Sequence, residues 1–132
     1  MDRNTSKPVS PRTGGEILVD GLIAQGATTI FGVPGESFLA VLDAIHDRSD
    51  RIRFINCRQE GGAAFMADAH AKLTGKPGLC LVTRGPGACN ASIGVHTAWQ
   101  DSTPMVIMIG QVPTSHRERE AFQEVDYRFM FE

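Results

Sequence analysis

Apolar positions along the chain fall into two alternating spacings. From Gly14 to Gln25, Ile17, Leu18, Leu22 and Ile23 recur at helical intervals, and Gly26 follows as a stop. Thr28 to Val33 is short, β-branched and closed by Pro34-Gly35, which predicts a strand running into a turn. Ser37 to His46 returns to helical spacing through Phe38, Leu39, Val41, Leu42 and Ile45. Ile52 to Cys57 reads as a second strand, and Gln59 to Thr74 as an Ala-rich helix ended by Gly75. Leu79 to Thr83 is an unbroken apolar strand of the kind covered on both faces. Gly85-Pro86-Gly87 interrupts the pattern before a helix from Ala88 to Gln100, and a fourth strand spans Pro104 to Ile109. After Gly110 the chain is irregular and polar, with a last helical turn expected near Arg119 to Val125.

Helices alternating with apolar strands over short connections predict an α/β fold, a doubly wound parallel sheet with helices on both faces. Four strands are few for this architecture, so the chain reads as part of something longer. Residues 1–13 carry two prolines in a polar stretch and read as a flexible tail, with no apolar run behind Arg3, Lys7 and Arg12 to make a secretory signal. The apolar, aromatic stretch Phe129-Met130-Phe131 asks for burial.

Composition narrows the classes. Hydrophobic residues make up 42% and charged ones 21%, which suits an ordinary globular protein and argues against global disorder. A formal net charge of −2 gives no electrostatic case for nucleic acid or an anionic membrane as partner. No run approaches the roughly 20 apolar residues of a membrane span. The cysteines Cys57, Cys80 and Cys89 lack C-x-x-C spacing and read as reduced and structural, implying a cytoplasmic location. The four histidines show no metal spacing, and no Ser-His-Asp or Cys-His arrangement suggests itself.

Ligands of open α/β sheets bind outside the carboxyl ends of the strands. Three of the four strands end distinctively there: Gly32-Val33-Pro34-Gly35-Glu36-Ser37, Arg58-Gln59-Glu60-Gly61-Gly62, and Thr83-Arg84-Gly85-Pro86-Gly87-Ala88-Cys89-Asn90. Gly85-Pro86-Gly87 is either a tight turn or a weak phosphate cradle, since it matches neither G-x-G-x-x-G nor the Walker form. Glu60 has two readings as well. It is a carboxylate stabilised by a helix N-terminus, or an acid in a crevice of small residues whose proton affinity burial can tune. Gly61, Gly62, Ala63 and Ala64 leave room for another surface to approach closely.

These motifs resemble the thiamine-diphosphate enzymes of the acetolactate synthase type. The likeness rests on Gly32-Val33-Pro34-Gly35, on Gln59 to Ala69, on Gly75-Lys76-Pro77-Gly78, and on Leu81 to Asn90. Asp101-Ser102-Thr103-Pro104 and Ala121 to Asp126 extend it in order and at family spacing. The resemblance implies that 14–132 is the amino-terminal, pyrimidine-binding domain, incomplete at its C-terminus. It implies that Glu60 hydrogen-bonds N1′ of the aminopyrimidine and favours its imino form, whose 4′-nitrogen takes the proton from thiazolium C2. Val33, Thr83, Pro86 and Asn90 would line the pyrimidine and thiazolium pocket, and Gln123 would face the reacting centre. The glycine turn would then meet the aminopyrimidine rather than the diphosphate.

The same resemblance implies decarboxylation of a 2-oxo acid, pyruvate, and ligation of the product to a second 2-oxo acid, as in branched-chain amino-acid biosynthesis. Its cofactors are thiamine diphosphate and a magnesium ion bound by a domain absent from this chain, with an FAD requirement left open. Its partner is the diphosphate-binding domain of a second subunit in a homodimer or homotetramer, so 132 residues alone would be inactive. One departure stands out. Such enzymes usually carry Gly-Ala after Pro-Gly, where this chain has Glu36-Ser37, and a charge there could alter the accepted acid. Two alternatives remain: another thiamine-diphosphate decarboxylase or carboligase, and a non-catalytic partner module that keeps the fold.

Overall fold

A computed structural model describes residues 11–132; residues 1–10 of the expected tail lie outside it. The first helix, α1 (Gly14–Ala24), begins on a capping box: the Glu16 amide donates to Thr13 Oγ1 at 3.2 Å, and the Thr13 amide to the Glu16 carboxylate at 2.7 Å. Strand β1 (Thr29–Gly32) follows, then a 3-10 turn (Glu36–Phe38) leading into α2 (Leu39–His46). Strand β2 (Arg53–Asn56), α3 (Glu60–Thr74), β3 (Gly78–Thr83), α4 (Arg84–Gln100) and β4 (Met105–Gly110) complete the alternation, and α5 (Tyr127–Phe131) ends it.

All four strands are parallel, in the order β2-β1-β3-β4. One core cluster gathers Val19, Ile30, Phe38, Ile45, Ile52, Leu79 and Leu81, joining α1 and α2 to one face of the sheet. The other gathers Phe31, Ala63, Ala64, Ala67, Cys80, Val82 and Ala91, joining α3 and α4 to the opposite face. The two inner strands are therefore buried along nearly their whole length, which is why they read as continuous apolar runs. Full burial of side chains such as Ile30, Ile52 and Val82 contributes about 1.5–3 kcal/mol each. The doubly wound sheet is as the sequence pattern predicts. Among the described residues no helix is long and apolar enough to cross a membrane.

Three expectations are corrected. Helix α4 starts at Arg84 rather than Ala88, so Gly85-Pro86-Gly87 forms its first turn. The amides of a first turn have no intrahelical acceptor, so Pro86 costs no hydrogen bond there. The helical turn near Arg119 to Val125 does not form; α5 follows it instead. Glu118, Glu120 and Gln123 all have positive φ, and the Glu124 carboxylate accepts from the amides of Glu118 and Ala121 at 2.6 and 3.1 Å. That carboxylate satisfies amides a helix would have claimed. The expected burial of Phe129 is also absent: its side chain is exposed.

Helices α3 and α4 lie side by side, brought together by small residues. A Cβ placed on Gly94 would stand 2.5 Å from the Ala64 methyl group, so only glycine permits this approach. At the amino edge of the sheet, Lys72 Nζ donates to Asp68 Oδ2 at 2.7 Å and to Asp101 Oδ2 at 2.6 Å, clamping the end of α3 to the end of α4. The Lys72 hydrogen bond holds the buried Asp68 carboxyl below its ordinary 3.8, against the opposing effect of burial. A lowered folded-state value means the contribution is complete above pH 3.8 and is lost as pH falls through the folded value. Asp68→Asn is thus expected to lower Tm at neutral pH, and by progressively less in acid as wild-type Asp68 takes up its proton. A Tm difference independent of pH would remove Asp68 from the acid response.

Candidate functional site

The chain leaves β1 toward β2 and leaves β3 toward β4, so the order reverses between β1 and β3. At such a switch point two loops diverge and a crevice opens at the carboxyl edge. Val33 follows β1 there and is half-buried; Thr83 ends β3 and is half-buried too. Between them the Ser37 and Thr83 hydroxyls share a hydrogen bond of 2.6 Å, joining the turn after β1 to the end of β3.

Glu60 is the first residue of α3, which packs over β1 and β3 and so aims its N-terminus at this crevice. Gln59 caps the helix, its side-chain oxygen accepting from the Gly62 amide at 2.9 Å, which leaves Glu60 free of capping duty. Instead, Asn90 Nδ2 on α4 donates to Glu60 Oε2 at 2.9 Å. Glu60 Oε1 takes no partner among the described residues. The two side chains meet because the Ala64–Gly94 contact brings their helices close.

Gln123 reaches the same edge through its backbone. Its carbonyl accepts from the Gly85 amide at 2.9 Å, and Gln111 Nε2 donates to the neighbouring Val125 carbonyl at 3.0 Å. Gly85 is required for this contact, since a Cβ there would lie 2.8 Å from Val125 Cγ2 and 3.0 Å from the Gln123 oxygen. Thr83, Pro86 and Asn90 are carried on one continuous segment, with Pro86 and Asn90 exposed. The structure thus joins Glu60 to Asn90 by side chains and Gln123 to the β3–α4 turn by backbone.

Two readings change. The small residues after Glu60 do not await another surface: Gly61, Ala63 and Ala64 are buried, and Gly62 alone faces open space. Their size serves α3–α4 packing. Glu60 itself is half-buried rather than enclosed, with Asn90 of α4 on one carboxylate oxygen. The cysteines also differ among themselves. Burial pushes the Cys80 thiol up to about 12, leaving it inert, whereas Cys57 is half-buried and Cys89 is exposed on α4.

Arg84 is the neighbour of the candidate site that sequence reading missed. It has φ +45, a left-handed conformation costing on the order of 1–2 kcal/mol, and Nη1 donates to Glu36 Oε1 at 2.9 Å. The departure at Glu36-Ser37 is therefore paired on both counts, Glu36 with Arg84 and Ser37 with Thr83. An arginine set directly before Gly-Pro-Gly at a strand end was the available signal.

The donor set suits one half of the implied cofactor. A carboxyl oxygen without a partner among the described residues, oriented through its twin by an amide, fits a ring nitrogen. For the diphosphate, among the described residues no group of three His, Cys, Asp or Glu side chains could hold a metal ion.

Comparison with known proteins agrees. The family described as "Thiamine pyrophosphate enzyme, N-terminal TPP binding domain" matches residues 12–130. The mitochondrial acetolactate synthase catalytic subunit of Aspergillus candidus is 47% identical over 127 residues, covering 96% of this chain and 18% of that protein. Acetolactate synthase of Bacillus subtilis (strain 168) is 42% identical over 126 residues, covering 96% and 22%. The acetolactate synthase isozyme 3 large subunit of Escherichia coli (strain K12) is 46% identical over 114 residues, covering 86% and 20%. The chain therefore spans about a fifth of the length of these relatives. It belongs to the N-terminal TPP-binding domain family of thiamine pyrophosphate enzymes.

Proposed function

We propose that this chain is the pyrimidine-binding domain, continued beyond residue 132, of a longer enzyme that decarboxylates pyruvate and ligates the product to a second 2-oxo acid. The observation that carries the proposal is Glu60 held by Asn90 at the switch point, in a chain 41–47% identical to proteins named acetolactate synthase. When bound, thiamine diphosphate supplies the nucleophilic carbon and the sink for the electron pair released on decarboxylation. The chain's own residues position and protonate. Asn90 fixes Oε2 of Glu60, so Oε1 presents the proton to the aminopyrimidine N1′. Val33, Thr83 and Pro86 line the ring pocket, and Gln123 faces the reacting end. Magnesium, the diphosphate and any FAD fall to the rest of the protein.

A partner domain supplies the cover Glu60 lacks. Ile93, Trp99 and Phe129 are exposed, and an open groove of about 580 Å³ runs between α4 and α5, lined by Ile93, His96, Trp99, Met130 and Phe131. Large exposed apolar side chains around such a groove mark an interaction surface. The diphosphate-binding domain of a second subunit, in a homodimer or homotetramer, is the occupant proposed.

Full-length protein supplied with pyruvate, thiamine diphosphate and magnesium is expected to form acetolactate. Release of acetaldehyde without ligation would instead identify a simple decarboxylase, and no turnover with intact cofactor binding would favour a partner module.

A further inference from the structure

We infer that Arg84 is a positioning residue for Gln123, with Glu36 as its counter-charge. Two contacts hold its side chain, and a third lies one residue further on. Its side chain is only 14% exposed, with Nη1 on the Glu36 carboxylate at 2.9 Å. The guanidinium carbon stands 5.8 Å from the centre of the ring of Phe122, the residue immediately before Gln123. The amide that follows Arg84, that of Gly85, donates to the Gln123 carbonyl at 2.9 Å. A cation over an aromatic face and a backbone hydrogen bond one residue away therefore hold the same loop from two directions.

The loop needs such a hold. Gln123 has φ +63, and Glu118 and Glu120 are left-handed as well, so the intrinsic preferences of these residues oppose the conformation. Arg84 is left-handed too, at +45, where β3 passes into α4. Two strained segments are thus tied to each other. Glu36 is 69% exposed and supplies the charge that keeps the guanidinium in place, so it acts on the loop through Arg84. Functional importance of the arrangement rests on the proposed role of Gln123 at the reacting centre.

The test uses full-length protein carrying Arg84→Met, Arg84→Lys and Gln123→Ala, singly, and Arg84→Met with Gln123→Ala. Hydrogen exchange of the Gly85 amide reads the loop without reference to turnover. Arg84→Met should accelerate it by about 3- to 30-fold, the range of a cation–aromatic contact, with Arg84→Lys falling between. Arg84→Met should lower kcat by roughly tenfold at nearly constant KM, yet by less than about twofold in the Gln123→Ala background, since residues acting as a unit are not additive. Equal losses in both backgrounds, or unchanged Gly85 exchange, would overturn the inference. Failure of wild-type protein to act on any 2-oxo acid would instead defeat the proposed function, and the amide exchange would still decide whether Arg84 holds the loop.

Discussion

Replacing Glu60 by Gln in the full-length protein is expected to slow exchange of the C2 proton of bound thiamine diphosphate by about 10²–10⁴-fold, the usual cost of losing an acid–base group. The substitution isolates one property. A glutamine keeps an oxygen that accepts from Asn90 Nδ2, so the link between α3 and α4 survives. It loses the acidic proton that the proposed role requires Glu60 Oε1 to offer the ring. Melting should hardly change, because Gln59 rather than Glu60 caps the helix and Glu60 contributes only the modest attraction of a carboxylate for a helix N-terminus. Proton exchange followed by NMR, beside a melting curve, separates the two roles. Normal exchange in a variant of lowered stability would reduce Glu60 to a structural carboxylate.

The second large effect is structural. Gly94→Leu is expected to destabilise the domain by about 1–3 kcal/mol or more, because the added side chain enters a contact with no spare volume. Its Cβ alone would meet Ala64 at 2.5 Å, and the Ala64 backbone carbon at 3.0 Å. Relief requires α3 and α4 to separate, which also parts Glu60 from Asn90. Gly21, in the middle of α1, has nothing within 4 Å of its missing Cβ and provides the control. Gly21→Ala should raise stability by about 0.5–1 kcal/mol, through helix propensity alone. Denaturation in urea tests both, with midpoints moving in opposite directions at similar slopes. A Gly94→Leu midpoint equal to that of wild type would show that the helix pair can repack without cost.

What the sequence reveals and what it hides follow from the range of the interactions involved. The four strands and first four helices are visible because apolar spacing, β-branched runs and terminal glycines are local signals. The start of α4 is hidden because Gly85-Pro86-Gly87 is turn-forming by composition, and only the free amides of a first turn make it acceptable to a helix. The segment 117–126 is hidden more deeply, since its shape depends on the Glu124 carboxylate gathering amides from residues before it. Glu60 was legible as a candidate from its place between a strand and a helix. Its partner Asn90 came only through family resemblance, as a pocket residue, and the bond between them depends on an interhelical distance set by Gly94. Arg84 belongs with the hidden features, as its partners lie 48 residues before and 38 after it in the chain.

The Lys72 clamp has an evolutionary consequence. It fastens α3 to α4 at the edge of the sheet opposite Glu60 and draws on Asp68 and Asp101, neither of which belongs to the proposed pocket. Helix pairing at that end does not depend on which residues occupy the loops at the other. Drift at the chemical edge is therefore tolerated as long as each new side chain finds a neighbour, as Glu36 does in Arg84 and Ser37 in Thr83. Separating the fastening from the proposed pocket would let a lineage alter one loop at a time without loosening the helix pair at the far end.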